Sequence, residues 1–179
     1  AGFVARRWGG PDVEDITATA AAMKATLAGD VLTLGDNVVI VTRAVVPWSA
    51  EEIAADRAAK IATSWERIKN ERDRRKSLGV KVGAHWYHSD ADSRIQQLSL
   101  FVMGAAVPPV QWKTLTLSPP PVFVTMTQAI AGGIFQGTAA SDAAVFAAAE
   151  THRIAMEASD TPESYDIGSG WPASIEDEL

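Results

Sequence analysis

The sequence predicts an α+β fold: a small N-terminal α/β module, one long coiled-coil-like helix, and a C-terminal domain of two short hairpins and three helices. Three observations predict it. The stretch from Ser49 to Leu78 contains no Gly or Pro and repeats apolar residues in heptads. Three pairs of short β-branched or aromatic runs are each joined by a connecting stretch, two of them carrying turn-forming Gly. Three later segments, one after Ser89, one after Thr127 and one after Ser141, carry apolar residues at helical spacing. The chain therefore divides into residues 1–48, an N-terminal docking module; 49–78, the long helix; 79–159, the C-terminal α+β domain; and 160–179, an acidic extended tail.

In the first part, Asp12 to Ala28 predicts a helix, with Asp12 as N-cap, Glu14 and Asp15 in the first turn and Gly29 as C-cap. Ile16, Thr17 and Thr19 weaken it. Val31–Leu34 and Val38–Thr42 then pair across Gly35-Asp36-Asn37 as a hairpin. Ser49 with Glu52 forms a capping box at the start of the long helix, which extends ~43 Å at 1.5 Å per residue. Ala54, Ala58, Ile61, Trp65 and Ile68 form its seam, followed by Arg72 and Arg75 in the same register. A helix this long with so narrow an apolar stripe needs a partner surface, so these five residues are the expected oligomer interface.

Val80–Val82 and His85–Tyr87 flank Gly83-Ala84 as a tight hairpin. Ser89 is expected to cap the next helix, with Ala91, Ile95, Leu98, Val102 and Ala105 on its inner face. Leu100, Phe101 and Met103 suggest burial on most sides, and Gly104 with Pro108-Pro109 ends it. Gln111–Leu117 and Val122–Met126 form the second C-terminal hairpin, connected by the stiff stretch Ser118 to Pro121. Thr127 caps a short helix ending near Gly137, and another runs from Ser141 to Ser159 with Val145, Phe146, Ala149 and Met156 as its contacts. The acidic tail from Asp160 holds Tyr165, Ile167 and Trp171, which suits an arm lying on a surface; the terminal IEDEL is expected to fray.

Composition narrows the function classes. With 179 residues, 47% hydrophobic and 21% charged, the chain can bury one sizeable core, or one domain plus an appendage. A net charge of -6 argues against nucleic-acid binding. Without cysteine there are neither disulfides nor thiolate metal sites. No apolar run approaches the ~20 residues that span a bilayer, so no membrane insertion is expected. Arg6 and Arg7 are not followed by an apolar core of signal-peptide length. An Ala-Gly start fits either a chain that has lost its initiator Met or a cut fragment.

Chemistry-bearing motifs are few. His85, His88, Asp90 and Asp92 fall in one window, but a strand turns His85 and His88 to opposite faces, and the carboxylates suit a helix N-terminus. They are taken as structural, as is His152, which shares a helical face with Val145, Ala149 and Met156. The basic run Arg72 to Lys76 contains Asp73 and sits where a helix C-terminus favours positive charge. Gly132-Gly133 lacks the strand-to-helix pattern of a phosphate loop. The six Trp are mostly core or interface residues. No catalytic residue, cofactor or metal ligand is expected.

The segments IKNERDRRKSLGVKV, GAHWYHSDADSRIQQL, QWKT, VFVTMT, AAVFAAAETHRIAME and YDIGSGWP occur in that order between about residues 66 and 171. In this they resemble a domain of unknown function found in tailed-bacteriophage tail-fibre and tail-fibre-assembly proteins. The chain departs from that pattern at LTLSPPPV, where a short Asp-Gly-type turn is expected, and residues 1–48 carry no resemblance. The resemblance implies a non-catalytic structural or adaptor component of a phage tail, in the fibre or baseplate, made in the bacterial host cytoplasm and residing in the virion. In that setting the heptad helix is expected to drive side-by-side assembly as a homo-oligomer, a trimer favoured, serving host attachment and contacting other phage tail or fibre proteins, while the net charge argues for no nucleic-acid partner. A tail-fibre assembly chaperone is the alternative; a metal-dependent hydrolase or sugar-binding module is a further one.

Overall fold

The computed structural model describes residues 25–27, 31–35, 38–42, 45–106 and 108–178. The chain forms two compact units, Ala1–Ala59 and Lys60–Leu179. Among the described residues the architecture is α+β, three α-helices with short antiparallel strand pairs.

In the first unit, β1 (Ala25–Leu27) pairs with β4 (Val45–Pro47), and β2 (Val31–Gly35) pairs with β3 (Val38–Thr42). The second pair is the hairpin the sequence predicts. The first corrects the expected helix over 12–28, because Ala25–Leu27 at its end is a strand. Pairing with Val45–Pro47 in the ladder outweighs the strong helix preference of Ala25 and Leu27, a case of tertiary context overriding local propensity. The rest of that expected helix lies outside the described residues.

Helix α1 spans Ala50–Arg75. Its start is the capping box: the Ser49 N–H donates to Glu52 Oε2 at 2.7 Å, and the Glu52 N–H donates to Ser49 Oγ at 3.2 Å. Its end comes three residues before the expected Leu78. Ser77 and Leu78 donate to carbonyls three residues back, and Gly79 then adopts a positive φ of 98°. From Lys60 onward α1 belongs to the second unit, so its C-terminal half is part of the C-terminal core.

Strands β5 (Val80–Val82) and β6 (His85–Tyr87) form the predicted hairpin, in the register Val80 to Tyr87 and Val82 to His85. Helix α2 spans Ala91–Met103 and ends at Gly104 as expected. Its N-cap is Asp90, whose Oδ1 accepts from the Ser93 N–H at 2.9 Å. Ser89 instead caps the exit of α1: its Oγ accepts from the Gly79 N–H at 2.9 Å and donates to the Lys76 carbonyl at 2.7 Å. Strands β7 (Gln111–Lys113) and β8 (Phe123–Thr125) form the second hairpin, and Trp86 bridges to Leu115 between the two hairpins.

Where two helices were expected after Thr127, a single helix α3 runs from Gln128 to Ala158. Thr127 caps it, accepting from the Ile130 N–H at 3.2 Å. Gly133 and Gly137 do not end it, because they are where β5 lies against it. A Cβ on Gly133 would stand 2.9 Å from Val82 Cγ1, and one on Gly137 would stand 2.8 Å from Val80 Cγ2. Backbone thinness there allows close helix–strand packing, which offsets the propensity cost of glycine, about 1 kcal/mol each.

The core has two centres. Val80, Tyr87, Met126, Ala131 and Ile134 form one, with Leu100, Trp112 and Val124 packed on it. Ile68, Ala149 and Met156 form the other, covered by Ile61, Trp65, Tyr165, Ile167 and Trp171. The tail is thus the surface-lying arm that its aromatics predict. Its last residues do not fray as expected: Ile175–Glu178 form a 3₁₀ turn with Ile175 buried, Glu176 pairs with Arg74 at 2.6 Å, and Glu178 pairs with Lys81.

Candidate functional site

Helix α2 is turned the opposite way from the sequence expectation. Ile95 is 65% exposed and Val102 76% exposed, and Ala91, Leu98 and Ala105 are exposed with them. The fully buried residue of α2 is Gln97, whose Nε2 donates to the His88 carbonyl at 2.7 Å. Arg94 also faces its own chain: Nη1 and Nη2 reach the two carboxylate oxygens of Asp142 on α3 at 2.6 and 2.9 Å. Its Nη2 further donates to the Lys76 carbonyl at 2.8 Å, and its Nε to that of Ser89.

The physical reason lies in what the neighbouring segments present. The end of α1 and the exit from β6 offer carbonyls that must be satisfied, and Gln97 and Arg94 are the α2 side chains with donors long enough to reach them. Leu100 still packs on the first core centre. The helix is consequently polar toward the chain and apolar toward solvent. The apolar face continues through Phe101, whose ring stacks on Phe135 of α3 at 5.0 Å and an interplanar angle of 3°. Both rings remain partly exposed.

The expected oligomer seam is divided. Ile68 is 0% exposed, and Trp65 and Ile61 are half-buried against the same core centre, so this part of the stripe is occupied by α3 and the tail of the same chain. That corrects the role expected for Ile68 and leaves Trp65 and Ile61 only partly available. Ala54 and Ala58 are exposed. The stripe needed a partner surface, and the sequence alone did not reveal that residues some 80 to 100 positions later supply one.

The basic run is absorbed into local pairs. Arg72 pairs with Asp73, while Arg74 and Arg75 share Glu71. Hydrogen bonding from Arg74 holds Glu71 below its ordinary value, with Arg75 adding to this and burial opposing it. Arg72 and Lys76 lie over the Phe146 ring at 4.9 and 5.1 Å, and Arg75 over Trp171 at 5.4 Å. His152 is buried, its Nδ1 3.1 Å from the Tyr165 hydroxyl and its ring 4.7 Å from that of Trp171. It therefore anchors the tail to α3. His88 and Lys113 border a shallow depression of about 230 Å³ walled by Thr114 to Pro119 and Pro121, smaller than the ~300 Å³ at which ligand pockets usually begin. Among the described residues no three His, Asp or Glu side chains are gathered as a metal site, and no helix is long and apolar enough to cross a membrane.

A family model described as a domain of unknown function, DUF4376, matches residues 57–169. The chain belongs to this family. The DUF4376 match begins within α1 and ends in the tail, so it takes in both core centres, α2 and its apolar face. The match begins at residue 57, close to Lys60, the first residue of the second compact unit. No curated protein and no solved structure matches the chain.

Proposed function

We propose that this DUF4376 protein is a non-catalytic structural or adaptor component of a bacteriophage tail, in the fibre or baseplate, that attaches or positions neighbouring tail proteins. The observation that carries the reading is the ordered set of motifs between residues 66 and 171, which resembles a domain of tail-fibre and fibre-assembly proteins. The outward apolar face of α2 supports a role in protein contact, since a large exposed apolar patch usually marks an interaction site. Residues 1–48 are assigned to docking within the tail.

Mass spectrometry of purified particles tests this. The protein is expected in the virion at a copy number matching the tail symmetry. Removing residues 1–48 is expected to leave Lys60–Leu179 folded and to abolish incorporation. Absence of the full chain from particles overturns the reading and favours a fibre-assembly chaperone, for which the same apolar face would serve transient capture of a folding partner.

A further inference from the structure

We propose that α2 is a self-association face, on which a second copy of this chain packs its own α2 antiparallel about a two-fold axis at Leu98. The first support is pattern. Ala91, Ile95, Leu98 and Val102 follow the 4-3-4 spacing that packs one helix on another, and none of them is used by this chain's own core. About Leu98 the order of bulk reads the same in both directions: β-branched Ile95, Leu98, β-branched Val102. Reversal about Leu98 sets Ile95 against the second copy's Val102 and Leu98 against Leu98. A two-fold interface demands this self-complementarity, whereas a face shaped for an unrelated partner has no reason to possess it.

Charge is the second support. The chain carries -6, yet residues 95–106 contain no ionisable side chain, and Arg94 beside them is neutralised by Asp142. Two copies meeting here therefore bring no like charges together, and an acidic or basic partner finds nothing to pair with. Area is the third. Ile95, Leu98 and Val102, with the stacked Phe101 and Phe135, expose on the order of 500 Å² of mostly apolar surface, in the upper part of the range for a single patch on a monomer. Two such faces bury on the order of 1,000 Å² when fully covered, the area at which a specific interface begins. The inference concerns association of the chain with itself and does not rest on the tail reading.

The absence of cysteine makes a direct test available. Sedimentation velocity of the full chain over a concentration series is expected to show a reversible dimer or a multiple of it. Leu98→Glu places two carboxylates on the axis and is expected to weaken association by roughly a hundredfold or more. Its circular dichroism should be unchanged, because Leu98 is exposed in the monomer. Leu98→Cys under mild oxidation is expected to give a covalent dimer. An equimolar mixture of Ile95→Cys and Val102→Cys chains should cross-link to each other in preference to themselves.

A wild-type chain that stays monomeric at the highest concentration overturns the proposal, whether because the face is covered by the chain's own N-terminal residues or because it awaits another protein. An oligomer that survives Leu98→Glu, or preferential Ile95→Cys self-cross-linking, overturns the face or its antiparallel order respectively. Virion mass spectrometry reads the tail assignment separately, so either conclusion can fail without the other.

Discussion

Val80 Cγ2 occupies the position where Gly137 would carry a side chain, 2.8 Å from its missing Cβ. Val82 stands in the same relation to Gly133, one helical turn earlier, at 2.9 Å. Strand β5 is therefore seated on the glycines of α3.

Gly137→Ala and Gly133→Ala should each destabilise the protein although alanine is the better helix former. The helical gain is about 1 kcal/mol, while pressing a methyl group against a stiff β-branched side chain costs typically ~1–3 kcal/mol. Gly132 is the control. Its Cβ would meet Phe101 at 3.5 Å, an ordinary contact, so Gly132→Ala should be neutral or stabilise by up to ~1 kcal/mol. Urea denaturation of the three variants gives the signs; a loss at Gly132 equal to that at Gly137 would remove the close-packing account.

The Arg94–Asp142 fork holds α2 to α3 while Arg94 also satisfies carbonyls at Lys76 and Ser89. Asp142→Ala leaves that guanidinium half-buried without its carboxylate and should cost about 2 kcal/mol. Arg94→Lys should recover little, because an ammonium cannot serve the carboxylate and both carbonyls in one plane. A double-mutant cycle on the pair should show a coupling above ~1 kcal/mol; additivity would mean that the bridge is incidental.

Ile68 and the tail are expected to behave as one cooperative piece. Ile68→Ala should cost ~2–4 kcal/mol, and Ile68→Asp should unfold Lys60–Leu179 rather than merely dissociate an oligomer. Deleting residues 160–179 strips Tyr165, Ile167 and Trp171 from the second core centre and should produce aggregation or early proteolysis within α3. A truncated chain that melts as the full one does would make the tail dispensable.

Acidification should reach Glu71 in a defined way. Its folded value lies below the ordinary 4.5, chiefly through the hydrogen bond from Arg74. Its contribution to stability is therefore complete above about pH 4.5 and is lost as pH falls through the lowered folded value, since the unfolded chain takes up the proton first. Glu71→Gln should reduce stability at pH 7 and flatten the decline below about pH 4.5. Parallel curves for the two proteins would show that Glu71 does not contribute.

Much of the local structure was legible from the residues. The capping box at Ser49 and Glu52, the hairpin across Gly83-Ala84 and the Thr127 cap are short-range chemistry, set by side chains within a few positions of one another. Ser89 shows where such reading stops. It was expected to cap the helix that follows, but Asp90 does so, and Ser89 is drawn to the carbonyl and N–H left unpaired where α1 ends. The orphan groups lie ten or more positions back in the chain, and only the fold brings them near.

By itself the sequence determined the α+β class, most element positions from Val31 onward, the heptad stripe of α1 and the docking of the aromatic tail. Periodicity, caps and turns are properties of neighbouring residues and can be read from them. Only the tertiary structure decided which surface each stripe meets. Ile68 went to α3 and the tail because those elements cover it first. Ile95, Leu98 and Val102 went to solvent because Gln97 and Arg94 had carbonyls to satisfy on the other side. An apolar stripe specifies that it should be covered; the hydrophobic effect is non-directional, and hydrogen bonds with fixed geometry choose the face.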